Sequence, residues 1–111
     1  MRKDDLAYIV HIISCIKKIK KYMKGQTKSK FKENELVQDA VIRKIEIIGE
    51  ASKSISIELR KEYSNIPWKE ISGMRDKLIH HYMGVDIDVI WITVKQDIPS
   101  LEKELKEINK K

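Results

Sequence analysis

NELVQDAVIRKIEIIGEASKSI, residues 34–55, decides the fold class. Val37, Val41, Ile45, Ile48 and Ser52 recur every three or four residues and fall on one helical face. Leu36, Ala40, Ile47, Ala51 and Ile55 widen that face. Asn34 stands where a helix needs a side chain to cap its first free N–H groups. The spacing predicts one long amphipathic helix with a buried stripe.

The same period extends in both directions. Leu6, Ile9, Ile13 and Ile16 mark a first helix, with Ile12, Ile19 and Met23 beside them, running to about Lys24. Asp4 and Asp5 supply an acidic first turn that suits the helix dipole. Gly25-Gln26-Thr27 breaks the helix, and Ser29 is expected in the same loop. Downstream, Glu58 to Tyr63 reads as a short helical turn. Pro67 then opens, as a first-turn proline, a third long helix striped by Ile71, Met74, Leu78 and Tyr82 and ended by Gly84. A last helix opens at Asp86, with Val85 and Ile90 spaced as a hydrophobic staple. It carries Ile90, Val94, Ile98, Leu101, Leu105 and Ile108, with a kink expected at Pro99. The predicted fold is all-α, an up-and-down bundle of four to five helices in one domain over residues 1–111.

Composition agrees. At 41% hydrophobic and 36% charged, the chain can bury a core and is not of the disordered class. Only 4 Gly and 2 Pro interrupt it. Cys15 is the single cysteine, so an internal disulfide is excluded, and its apolar neighbours predict a packed, inert thiol. No run approaches the roughly 20 apolar residues of a membrane span, and the N-terminus lacks a signal-peptide core, so no membrane association and a cytoplasmic location are expected. The net charge of +6 is local: Lys17, Lys18, Lys20, Lys21, Lys24, Lys28, Lys30 and Lys32 form a stretch without an acid. Lys24, Lys28, Lys30 and Lys32 are candidate RNA contacts, against the alternative of a solvated helix end and loop.

Chemistry concentrates in Arg75-Asp76-Lys77-Leu78-Ile79-His80-His81-Tyr82. Cutting RNA without a metal needs a base for the ribose 2′-hydroxyl proton, an acid for the leaving oxygen, and a stabiliser of phosphorane charge. Histidine serves as base or acid near neutrality, and arginine presents a permanent fork to phosphate oxygens. On a straight helix at ~100° per residue, Arg75 and Tyr82 share a face, as do Asp76 and His80. Arg75 and His80 would stand about 140° apart. Either the helix distorts near His80, or two chains pool their residues in a two-fold dimer. Other readings stay open at this level: Tyr82 as a core tyrosine, Arg75 and Asp76 as a surface ion pair, His81 as a surface or interface residue. A metal site at the adjacent His80 and His81 does not fit the i, i+4 spacing of helical ligands.

Arg75-x4-His80-x-Tyr82 resembles the signature of the HepT-like branch of the HEPN ribonucleases. Ile66-Pro67-Trp68-Lys69-Glu70-Ile71-Ser72-Gly73-Met74 before it, Gly84-Val85-Asp86 after it, and Ile47-Ile48-Gly49-Glu50-Ala51 upstream extend the resemblance over nearly the whole chain. It implies a homodimer whose active cleft lies where two motif helices meet, cutting RNA with no cofactor. His80 would act on the 2′-hydroxyl proton, Arg75 would stabilise phosphate charge, Asp76 would support His80, and Tyr82 would shape the cleft. It further implies the toxin of a type VII toxin–antitoxin pair. The antitoxin would be an MntA-like minimal nucleotidyltransferase that adds AMP to Tyr82. The alternative is a non-catalytic helical partner of such a nucleotidyltransferase. Arg43, Glu46 and Glu50, on one side of the second long helix, are expected to brace the motif helix or line the cleft, or else to form a solvated face. Gly49 is read as a point of close helix approach, and Trp68 as a packing anchor or, if exposed, a base-stacking surface.

Overall fold

A computed structural model describes residues 2–80 and 84–109, apart from the side chains of 78–80 and 84–85. Its regular elements are helical but for one two-residue pairing, in the order α1 (Lys3–Met23), α2 (Lys28–Glu33), α3 (Glu35–Lys53), α4 (Ile57–Glu62), α5 (Trp68–Ser72), α6 (Met74–Leu78), β1 (Ile79–His80), β2 (Gly84–Val85), α7 (Ile87–Ile92), a π-helical turn (Thr93–Asp97) and α8 (Ile98–Asn109). The all-α bundle expected from periodicity is the observed architecture. Among the described helices, none is long and apolar enough to cross a membrane.

The longest helices build the core. α1 packs along α3 and against α8, burying Ile9, Ile12, Ile13, Ile16, Ile19 and Met23 against Val41, Ile45 and Ile48 and against Leu101, Leu105 and Ile108. Each such side chain taken fully from water contributes about 1.5–3 kcal/mol, offset by the entropy of ordering it. Two residues of the predicted stripes do not join. Leu6 is 42% exposed and Leu36 80% exposed. Cys15 is packed as expected, and burial pushes its thiol up from the ordinary value, partly opposed by Lys44 and Lys18.

The connections follow local chemistry. Gly25 adopts φ +80, the left-handed region that an L side chain resists, and ends α1. The loop expected to include Ser29 is instead α2: Thr27 Oγ1 accepts from Lys30 N–H at 3.1 Å, and Phe31 anchors the turn in the core. Asn34 Oδ1 caps α3 through Val37 N–H at 3.1 Å, as predicted. Gln38 Nε2 donates to the Phe31 carbonyl at 2.8 Å, satisfying the end of α2 from within α3.

Asp5 does more than complement a dipole. It is buried, and its carboxylate accepts from Ser56 N–H at 2.8 Å and Ser56 Oγ at 2.6 Å, tying the start of α1 to the start of α4. Ser56 Oγ in turn accepts from Leu59 N–H and caps α4.

The third long helix is not continuous. Pro67 occupies the cap position one residue before α5 rather than its first turn. Gly73 divides α5 from α6, and the chain leaves helical geometry after Leu78, where Ile79 and His80 pair antiparallel with Val85 and Gly84. Trp68 is the expected anchor: it is buried and donates from Nε1 to the Tyr63 carbonyl at 3.1 Å.

Asp86 caps α7 through Val89 N–H at 3.1 Å. The disturbance expected at Pro99 takes the form of a π turn. Ile98 N–H reaches back five residues to the Thr93 carbonyl. Pro99 has no N–H to give and its ring would strike the carbonyl four residues earlier; one extra residue in the preceding turn moves that carbonyl away. The apolar stripe therefore continues through Ile98, Leu101, Leu105 and Ile108.

Candidate active-site groove

Gly49 sets the position of the motif segment. A Cβ there would stand 3.2 Å from the Ser72 carbonyl and 3.5 Å from that of Ile71, so α5 lies against α3 at a distance that a side chain would oppose. Ser52 Oγ donates to the Gly49 carbonyl at 2.7 Å and meets Ser72 Oγ at 2.9 Å, which pins the end of α5. The next turn, α6, then brings Arg75 over α3.

There Arg75 Nε donates to Glu46 Oε2 at 3.1 Å. The pair is partly solvated, with the arginine side chain 53% exposed and the glutamate 32%. Asp76 is a looser neighbour: its Oδ1 is 4.0 Å from Arg75 Nη1 and its side chain is largely in solvent. Glu46, not Asp76, therefore orients the guanidinium. The i, i+4 geometry that would aim Asp76 at His80 does not apply, because the helix ends between them. The His80 side chain and all of His81 and Tyr82 lie outside the described residues.

Arg75 borders an open groove of about 620 Å³. α3 contributes Arg43, Glu46 and Glu50, the residues expected to brace the motif helix or line a cleft, and α1 contributes Tyr8 and His11. Glu46 is engaged by Arg75 and Glu50 by Lys53 at 3.2 Å. Tyr8 and His11 had not been singled out in sequence. They sit beside the apolar stripe of α1, where a polar residue looks like any solvated helix position until α3 is packed against it.

The lysine stretch is a separate feature. Lys24 lies about 20 Å along the helix axis from His11 at 1.5 Å per residue. Lys20 is a strut: its Nζ is 2.8 Å from Oε1 of the buried Glu102, which Lys106 also approaches at 3.5 Å. The Lys20 hydrogen bond outweighs burial and holds the Glu102 carboxyl below its ordinary value, with Lys106 adding to the effect. Lys28 and Lys32 each lie 3.3 Å from Asp88, whose carboxyl their hydrogen bonds hold low. Lys24 and Lys30 are exposed and make no ion pair among the described residues.

Comparison with known proteins gives this geometry a family. The chain is 44% identical to "Putative RNase TTE0752" of Caldanaerobacter subterraneus over 98% of this chain and 97% of that one. It is 42% identical to "Probable ribonuclease HepT" of Thermococcus cleftensis over 99% of this chain and 100% of that protein. A Methanocaldococcus jannaschii protein named "Gamma-glutamylcyclotransferase and putative RNase MJ0434" is 49% identical over 97% of this chain, which spans 49% of that longer protein. No solved structure matches. The profile of the ribonuclease HepT-like family matches residues 12–108, from the middle of α1 to the end of α8. The match takes in α3, the motif segment and both arginines of the groove: this chain belongs to the ribonuclease HepT-like family.

Proposed function

We propose that this chain is a metal-independent endoribonuclease and the toxin of a type VII toxin–antitoxin pair. The 2′-hydroxyl oxygen attacks the adjacent phosphorus as His80 takes its proton. The 5′ oxygen of the next nucleotide leaves and takes a proton from water, and a 2′,3′-cyclic phosphate remains. Arg75 stabilises the charge that accumulates on the phosphoryl oxygens, where a guanidinium is worth most. The observation that carries this reading is Arg75 itself: half exposed at the border of a groove, and oriented by Glu46. The break after Leu78 also frees His80 from the 140° helical separation that argued against a shared target. Two chains meeting at their motif segments would complete the site, which makes a homodimer the active form. Its regulator is an MntA-like nucleotidyltransferase that places AMP on Tyr82. Lys24 and Lys30 would add long-range attraction for RNA.

The deciding experiment is cleavage of a mixed RNA pool in EDTA, with mass and folding checked. Wild-type cleavage that both His80→Ala and Arg75→Ala abolish supports the reading. A folded, unmodified wild-type dimer that leaves RNA intact rejects it and leaves a non-catalytic partner of the nucleotidyltransferase.

A further inference from the structure

We propose that Tyr8, His11 and Arg43 form a subsite for a nucleotide flanking the cut in single-stranded RNA, with its base on Tyr8 and its phosphate between His11 and Arg43. The inference rests on the ribonuclease reading and extends it from the reacting phosphate to the strand beside it.

Continuity is the first ground. All three side chains line the groove that Arg75 borders, so a strand whose phosphate reached Arg75 would run over them. Charge is the second. The groove's two carboxylates are already engaged, Glu46 by Arg75 and Glu50 by Lys53. Arg43 and His11 are exposed and make no ion pair among the described residues. A guanidinium free to fork onto a phosphate thus lines the same groove as an imidazole, which donates an N–H in either charge state. The third ground is the ring. Phe31 and Trp68 are buried, whereas Tyr8 is 36% exposed and lines the groove together with the apolar Ile47 and Ala51. An aromatic platform beside cations is how single strands are held without base readout. A volume of about 620 Å³ lies within the roughly 300–1,000 Å³ of small-ligand sites, enough for a nucleotide and far too small for a duplex.

The test measures binding apart from cleavage. The probe is a short, labelled 2′-O-methyl oligoribonucleotide, which lacks the attacking hydroxyl, titrated against the intact protein at several salt concentrations. Tyr8→Ala should weaken binding by at least about fivefold while Tyr8→Phe retains it. Arg43→Gln should lower the slope of log affinity against log salt by about 0.7, one phosphate contact on a single strand, and Arg43→Lys should restore it. His11→Ala should weaken binding, and Lys103→Gln, on the outer face of α8, should not. Cleavage of unmodified RNA is followed in parallel. If wild type cleaves and all groove variants bind as it does, the subsite is wrong and the ribonuclease reading stands. If the variants lose binding as stated but wild type never cleaves, the groove still holds single-stranded RNA through these three residues and the ribonuclease reading alone falls. A wild-type protein that does not hold the probe overturns the subsite outright.

Discussion

Arg75 Nε lies 3.1 Å from Glu46 Oε2, so a side chain on the short, interrupted motif helix takes its direction from the long, continuous α3. The pair is partly solvated, and such pairs contribute roughly 1 kcal/mol or less. Its value is positional. Glu46→Ala should therefore change the melting temperature little, yet lower kcat for RNA by about ten- to a hundredfold, the scale on which small misplacements act. Affinity should hold or rise, because an anion leaves the groove. Equal loss of stability and activity would assign Glu46 to the fold alone.

Gly49 is a second position where α3 controls the motif segment. A methyl at 3.2 Å from the Ser72 carbonyl asks the backbone to yield by a few tenths of an ångström, while alanine gains about 1 kcal/mol of helix propensity over glycine. These nearly cancel, so Gly49→Ala should shift stability by less than about 1 kcal/mol. Gly49→Val adds bulk that no such relaxation absorbs and should cost about 1–3 kcal/mol as overpacking. Chemical denaturation of both variants checks the order; equal stability of the valine variant would mean α5 is free to move off α3.

Asp5 sets an acid limit on the fold. Burial alone would raise its carboxyl, but the hydrogen bonds from Ser56 and the charge of Arg2 outweigh it, and the group lies below its ordinary 3.8. A depressed folded value stabilises above the unfolded value and loses that stabilisation as pH falls through the folded one. Stability should thus be flat for this group above about pH 4 and decline below it. In Asp5→Asn that part of the decline should vanish. Asp5→Ala, which leaves Ser56 N–H without its acceptor, should cost about 1–3 kcal/mol at neutral pH. Thermal melts from neutral to acid pH distinguish the two.

The parts of the fold written in local periodicity were legible: the stripes of α1, α3 and α8, the caps at Asn34 and Asp86, and the break at Gly25. Gly49 and the Arg43, Glu46 and Glu50 set were also legible as the α3 surface facing the motif. What stayed hidden depends on contacts between distant segments. Asp5 looks like a dipole-complementing acid until Ser56 is placed beside it, 51 residues away. α2 looks like a lysine loop because Phe31 is its one buried residue. Ile71, Met74 and Leu78 keep one helical phase across Gly73, so nothing in the pattern announces that α5 and α6 are separate or that backbone pairing follows at Ile79 and His80. His11 and Tyr8 gain meaning only from the seam between α1 and α3.

Tyr82 carries the regulatory prediction. It is two residues from His80 in sequence. On the reading proposed above, a nucleotide joined to its hydroxyl would add an anionic phosphate and the bulk of a base and ribose to the cleft. The anion would compete for the guanidinium and repel the substrate backbone, and the bulk would occupy the cleft. Co-expression with an MntA-like nucleotidyltransferase should therefore produce mass increments of whole AMP units on the wild-type chain and none on Tyr82→Phe. The modified protein should bind the 2′-O-methyl probe more weakly than the unmodified one and should not cleave RNA. Unmodified Tyr82→Phe should still bind the probe, since removing one hydroxyl leaves Arg75 and Glu46 in place. Increments that persist in Tyr82→Phe would place the modification elsewhere, and a modified wild-type chain that still cleaves would show that the added anion does not reach the site.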